Sequence, residues 1–148
     1  MKKEVSDIEF ALLLSPFSAH MLEIDGIVYP TLEHAYHSSR FAEQEIKDEI
    51  LVARSPAEAH SISQRYKSGQ IADFPERRFF VMKDLCRIKL EQHPEVREFL
   101  LSSEGEIVKR IYAGPAGDGI WDDGGDGSGQ NMGGKIWMEL RDELNSRE

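Results

Sequence analysis

Residues 25–41, DGIVYPTLEHAYHSSRF, decide how this chain is read. Asp25-Gly26 sits between two short apolar runs in MLEIDGIVY, residues 21–29, which is a strong short-range signal for a β-hairpin. Pro30 stops the second strand, and Thr31 offers a hydroxyl that can cap a helix beginning in TLEHAYHSSRF. On that helix Glu33, His37 and Arg40 fall four and then three residues apart and share one stripe, while Leu32, Ala35 and Ser39 mark another. Such a stripe is a solvated face or a site, and spacing alone leaves both open.

Further along, SPAE at residues 55–58 has capping-box spacing with proline at the first helical position, so a helix starts there and runs to about Lys67-Ser68-Gly69. PERRFFVMKDLCRIKLEQ, residues 75–92, returns apolar residues at three and four through Phe79, Met82, Leu85 and Cys86, and reads as the longest core helix. His93-Pro94 ends it and opens a short helix through EVREFLL. EIVKRIY, residues 106–112, reads as a short strand or extended segment. The last helix begins near Asn131 with Met132, Ile136, Leu140 and Leu144 on one face. The fold class expected is mainly α with a small β component (α+β), in one compact domain over residues 1–148.

A length of 148 residues suits one core, and 40% hydrophobic with 30% charged residues is ordinary globular usage. No apolar run approaches the roughly 20 residues that span a bilayer, and the N-terminus lacks a cleavage pattern, so a cytoplasmic protein without a membrane partner is expected. The net charge of −9 argues against bulk nucleic-acid binding, which depends on clustered Lys and Arg, but leaves room for one nucleotide-sized ligand in a local basic pocket. Cys86, the only cysteine, lies among apolar neighbours and reads as a buried structural thiol.

Residues 113–135, AGPAGDGIWDDGGDGSGQNMGGK, hold most of the glycines. Ordering so much free backbone is costly, and a fold tolerates it best where a ligand or another segment must approach closely. Asp122, Gly124, Asp126 and Gly127 imitate the start of a calcium loop, but Gly133 stands where the bidentate Glu is needed, so no metal is expected. No GK[ST] follows the glycines, which removes a Walker-type phosphate loop. What remains is a turn leading into a helix N-terminus, NMGG, whose N–H groups can receive an anion.

Taken in order and spacing, DGIVYPTLEHAYHSSRF, SPAEA, KLEQHPEVREFLL and the late W…GGDGSGQNMGGKIWMELRDEL resemble the NADAR (YbiA-like) family of N-glycosidases, over about residues 12–145. The resemblance implies a small, mostly helical domain that hydrolyses the bond between a ribose and a base or amine, without cofactor. The substrates implied are small ribosylated molecules, such as phosphoribosylated intermediates of riboflavin synthesis, or ADP-ribosylated guanine. Residue by residue, the catalytic glutamate matches Glu33, a base-lining aromatic matches Phe74, and a loop aspartate matches Asp118. Trp121, Gly127, Gly129 and Asn131 match the late motif, and Tyr36 falls within the first. Three positions depart from the pattern. Arg40 replaces a lysine proposed to form an imine with the opened ribose, Ser15-Pro16-Phe17 replaces SNF, and Asp122 replaces a glycine.

The chemistry is consistent with these residues. Breaking a ribosyl C–N bond builds positive charge at C1′ while the leaving base needs a proton or hydrogen bond, so two carboxylates answer both needs. Glu33, in the first helical turn where the dipole favours a carboxylate, is assigned to water activation and cation stabilisation, and Asp118 to orienting the ribose or assisting departure. Arg40 stays protonated and cannot form an imine, but it can hold a phosphate or carboxylate bidentately. His37 is a hydrogen-bonding residue of the stripe, and His34, on a neighbouring stripe, is structural. Phe74 and Trp121 can stack on a base. The alternative is a module that binds ADP-ribose or a nucleotide with lost or altered catalysis, motivated by Arg40.

Overall fold

The computed structural model describes residues 2–110 and 118–147. Its elements run α1 (Asp7–Glu9), a π-helical turn (Phe10–Leu14), β1 (Leu22–Ile24), β2 (Ile27–Tyr29), α2 (Leu32–Ser38), α3 (Gln44–Leu51), α4 (Pro56–Arg65), a 3₁₀ turn (Lys67–Gly69), α5 (Phe74–Gln92), α6 (Pro94–Leu101) and α7 (Met132–Ser146). The architecture is mainly α with one small sheet. The chain divides into two compact units, Ser15–His93 and Met1–Leu14 with Pro94–Glu148.

In the Ser15–His93 unit, β1 and β2 pair antiparallel with Leu22 opposite Tyr29 and Ile24 opposite Ile27. Asp25 and Gly26 both adopt left-handed backbone, φ +52° and +80°, as a two-residue I′ hairpin requires. Thr31 caps α2 by accepting from His34 N at 3.3 Å, a contact worth about 1 kcal/mol. Ser55 Oγ accepts from Glu58 N at 3.0 Å, and Pro56 opens α4 where its missing N–H costs nothing. Phe41, Ile50, Ala53, Ala59 and Ile62 form a core cluster, with Ile46 and Tyr66 packed against it. Helix α2 packs on α3, α4, α5 and β2, and all seven of its residues are buried. Glu33 and His37 are therefore not on a solvated face, while Arg40, the third residue of the stripe, lies in the turn beyond the helix end and is half-buried.

In the other unit, α6 packs on α7, and Trp137 Nε1 donates to Leu14 O at 3.0 Å. Buried Arg141 donates to Ser103 Oγ at 3.0 Å and Gly105 O at 2.6 Å, which satisfies a charged head that could not otherwise leave water. Residues 106–110 form no strand, and Ile111 and Tyr112 of the expected segment lie outside the described residues. The Asn131 side chain takes the place of a partner strand there: Oδ1 accepts from Lys109 N at 2.8 Å and Nδ2 donates to Ile107 O at 2.9 Å. Cys86 is buried on α5, as its neighbours imply.

Candidate active site

Helix α2 starts between two anchors. His34 Nδ1 lies 2.8 Å from the capping Thr31 hydroxyl and Nε2 lies 3.0 Å from Ala53 O, so His34 is structural. Glu33 N donates to Pro16 O at 3.1 Å. The Ser15–Ser18 stretch is held in turn by Lys89 of α5, whose Nζ donates to Ser15 O at 3.1 Å and Ser18 Oγ at 2.6 Å. Lys89 is fully buried and was invisible as a site residue in the sequence, where it looks like one more helical lysine.

The Glu33 carboxylate is almost enclosed, with its side chain 11% exposed, and Oε2 lies 3.1 Å from His37 Nε2 one turn along the same helix. His60 of α4 brings its Nδ1 to 3.3 Å from that same nitrogen. His37 stacks edge-on against Tyr36, ring centroids 5.2 Å apart, and Tyr36 against Phe74 at 5.5 Å. The Arg40 guanidinium lies 5.5 Å from the Tyr36 ring centroid and 5.4 Å from that of Phe74, in cation–π range of both. Burial pushes the Tyr36 phenol above its usual range, and the guanidinium groups of Arg40 and Arg78 pull the other way. Glu33, Tyr36, His37, Arg40 and Phe74 are thus brought together in one unit.

Arg40 makes no ion pair with Glu33 or Glu43 among the described residues. Its Nε is buried without a hydrogen-bond partner, and so is the Nε of Arg78, one turn after Phe74 on α5. Two buried guanidinium N–H groups without acceptors, in a chain of net charge −9, are a local exception to the charge balance. Arg78 and His60 are residues that sequence spacing did not reveal, since each reaches the stripe from another helix. The i,i+4 step from Phe74 to Arg78 is the one signal that could have found Arg78.

The late motif lies in the other unit, in residues 118–131. Asp118 Oδ1 accepts from Ile120 N at 2.8 Å and Trp121 N at 3.2 Å, fixing the turn that places a half-buried Trp121. Asp122 Oδ1 accepts from Gly119 N and Gly124 N at 3.2 and 2.8 Å, and Asp123 Oδ1 from Gly125 N at 3.0 Å. Gly127 needs its positive φ of +90°. A Cβ on Gly129 would strike Asp122 O and lie 2.6 Å from Asp123 C, and one on Gly134 would strike Ile107 O. The first N–H groups of α7 do not await an anion: Met132 N donates to Ile120 O and Gly133 N to Trp121 O, each at 2.9 Å. The glycines here admit the chain's own backbone.

Comparison with known proteins bears on the fold and the family. A NADAR domain model matches residues 3–145. The chain is similar to an N-glycosidase YbiA of Shigella flexneri, 31% identical over 130 residues covering 88% of this chain and 79% of that one. It is also 30% identical to a riboflavin biosynthesis protein of Vibrio vulnificus over 88% of this chain and 35% of that one. The solution structure of Escherichia coli YbiA superposes with a TM-score of 0.80 at 30% identity, covering 90% of this chain and 78% of that one. With both the folded scaffold and the motif order in agreement, the chain belongs to the NADAR family.

Proposed function

We propose that this protein is an N-glycosidase that hydrolyses the bond between a ribose and a base or amine in a small ribosylated substrate, with residues 1–148 acting as one cytoplasmic domain. The N-glycosidase names of its relatives and the family match over residues 3–145 support this reading. The observation that carries it is the enclosed Glu33 carboxylate, fixed by His37 on the helix that also presents Tyr36 against Phe74, where the buried Nε atoms of Arg40 and Arg78 have no hydrogen-bond partner among the described residues. Glu33 takes a proton from water as the water attacks C1′, and its charge stabilises the cationic sugar. Arg40 and Arg78 hold a phosphate of the substrate bidentately, and Tyr36 and Phe74 offer flat faces to its base or sugar. Asp118 is assigned to orienting the ribose or assisting departure of the base and Trp121 to substrate contact, while Gly127, Gly129 and Asn131 shape the loop that carries them. Phosphoribosylated riboflavin intermediates and ADP-ribosylated guanine are the substrates to test first.

Base release followed by mass spectrometry tests the assignment. Glu33→Gln keeps the shape and removes the base, and should lower turnover on the order of 10²–10⁴-fold. Unchanged turnover would sink the reading. Arg40 favours a second reading, a nucleotide-binding module with altered catalysis, because arginine cannot form an imine. Under that reading Arg40→Lys raises hydrolysis above a negligible wild-type rate. Hydrolysis by wild type with no gain in Arg40→Lys rules it out.

A further inference from the structure

The His37–His60 pair lies beside Glu33, and the hydrolysis described above uses of it only the contact by which His37 fixes the carboxylate. We propose that Glu33, His37 and His60 together bind a divalent transition-metal ion of zinc-like chemistry, and that such an ion takes Glu33 out of action.

The donor atoms already stand at ligand spacing. Glu33 Oε2 and His37 Nε2 are 3.1 Å apart, His37 Nε2 and His60 Nδ1 3.3 Å, and all three lie within 4.8 Å of one another. Zinc bonds of about 2.0–2.2 Å place tetrahedral donors about 3.3 Å apart, so two of the three separations already match, and the third, within 4.8 Å, closes as the exposed His60 ring moves inward. Two donors sit one helical turn apart on α2, whose backbone is anchored at Thr31 and Pro16, and the third comes from α4, packed on α2. Glu33 and His37 are buried while His60 is exposed, which supplies a route of entry and leaves the fourth position open to water.

Chemistry selects the ion. Two imidazoles and one carboxylate suit Zn²⁺, Co²⁺, Ni²⁺ or Cu²⁺, whereas Ca²⁺ and Mg²⁺ want oxygen donors throughout. Without an ion, one proton on His37 Nε2 must serve both a carboxylate oxygen and a second ring nitrogen. A cation engages all three lone pairs at once. Binding leaves the His37 proton on Nδ1, a buried nitrogen without a hydrogen-bond partner, so the ligand lacks the outer hydrogen bond that strengthens metal-bound histidines. The site is accordingly reversible, weaker than a structural zinc site, and suited to inhibition. Binding stands on geometry alone; the inhibition rests on Glu33 being the hydrolytic carboxylate.

The test uses the full chain, with Co²⁺ followed by its visible d–d absorption and Zn²⁺ by calorimetry. The expected result is one ion per chain in wild type, the intense bands of a four-coordinate site, and affinity reduced by more than about tenfold in His60→Ala. His20, His93 and Glu95 also remain in that variant, so any ion they bind is common to both proteins and the difference between the two reports the proposed site. Hydrolysis by wild type should fall with Zn²⁺ and return with EDTA, while the rate of His60→Ala, measured with and without Zn²⁺, does not change. Equal binding by wild type and His60→Ala, or absent Co²⁺ bands, overturns the site. Hydrolysis that rises or stays constant with the site loaded overturns the inhibition. Co²⁺ bands in a wild type that hydrolyses no ribosylated substrate would support the site and refute the N-glycosidase reading instead.

Discussion

Two stretches of this chain are rich in polar side chains, and they treat them in opposite ways. Between residues 118 and 131, Asp118, Asp122, Asp123 and Asp126 all turn a carboxylate oxygen onto a nearby backbone N–H, and both ends of the Asn131 amide are bonded to residues 107–109. Around α2 several buried polar atoms go unmatched among the described residues: the Nε atoms of Arg40 and Arg78 and His37 Nδ1 have no hydrogen-bond partner, and the Glu33 carboxylate is met by His37. A buried donor without an acceptor costs about 1–3 kcal/mol. A fold that carries several such groups in one place is poised for an incoming acceptor. The self-satisfied loop is built to hold a shape.

This contrast predicts that, Asp118 and Trp121 apart, substitutions in the loop act on stability and those around α2 on substrate. The largest stability effect is expected just past the loop, at Gly134→Ala in the first turn of α7, where the new methyl meets Ile107 O; a loss of about 3 kcal/mol in chemical denaturation is expected. A neutral result would mean that residues 107–109 yield easily, and the loop would lose its rigid character. Next comes Arg78→Gln, which should raise KM for a phosphate-bearing substrate by about tenfold while leaving stability unchanged or improved, because its buried Nε has no bond to lose. Unfolding at lower denaturant in that variant would make Arg78 a structural residue and blur the contrast. The smallest effect belongs to Asp126, whose carboxyl is held below its usual range by hydrogen bonds from Ser128. A lowered carboxyl adds stability above its unfolded pKa and loses it as pH falls through the folded one. Asp126→Ala should therefore lower Tm slightly at neutral pH, converge with wild type in acid, and leave hydrolysis untouched.

Elements governed by neighbours in sequence were legible. The Asp25-Gly26 hairpin and the Thr31 and Ser55 caps follow from local backbone chemistry and α5 from its apolar periodicity, and each is found where the residues place it. Helix α3, QEIKDEIL, carries no comparable signal and was not anticipated. The stripe of Glu33, His37 and Arg40 was visible as a periodicity, but burial on every side of α2 was not, since that is decided by which helices pack around it. Arg78, His60 and Lys89 matter only through contacts across the fold. The glycines were ambiguous for a different reason: a missing Cβ shows that something comes close, and Gly129 and Gly134 turn out to admit the protein's own carbonyls.

The Lys89 contact has a consequence for how competence is acquired. The amine bonds Ser15 O and Ser18 Oγ across 74 and 71 residues of sequence, and Pro16 O between them fixes the Glu33 backbone. Closing such long loops is the slow part of folding, so α2 can form its own turns well before Glu33 has its final position. A chain with native helix content but an undocked α5 would be inactive. On refolding, hydrolysis should lag behind helical circular dichroism, and in mild denaturant it should be lost first.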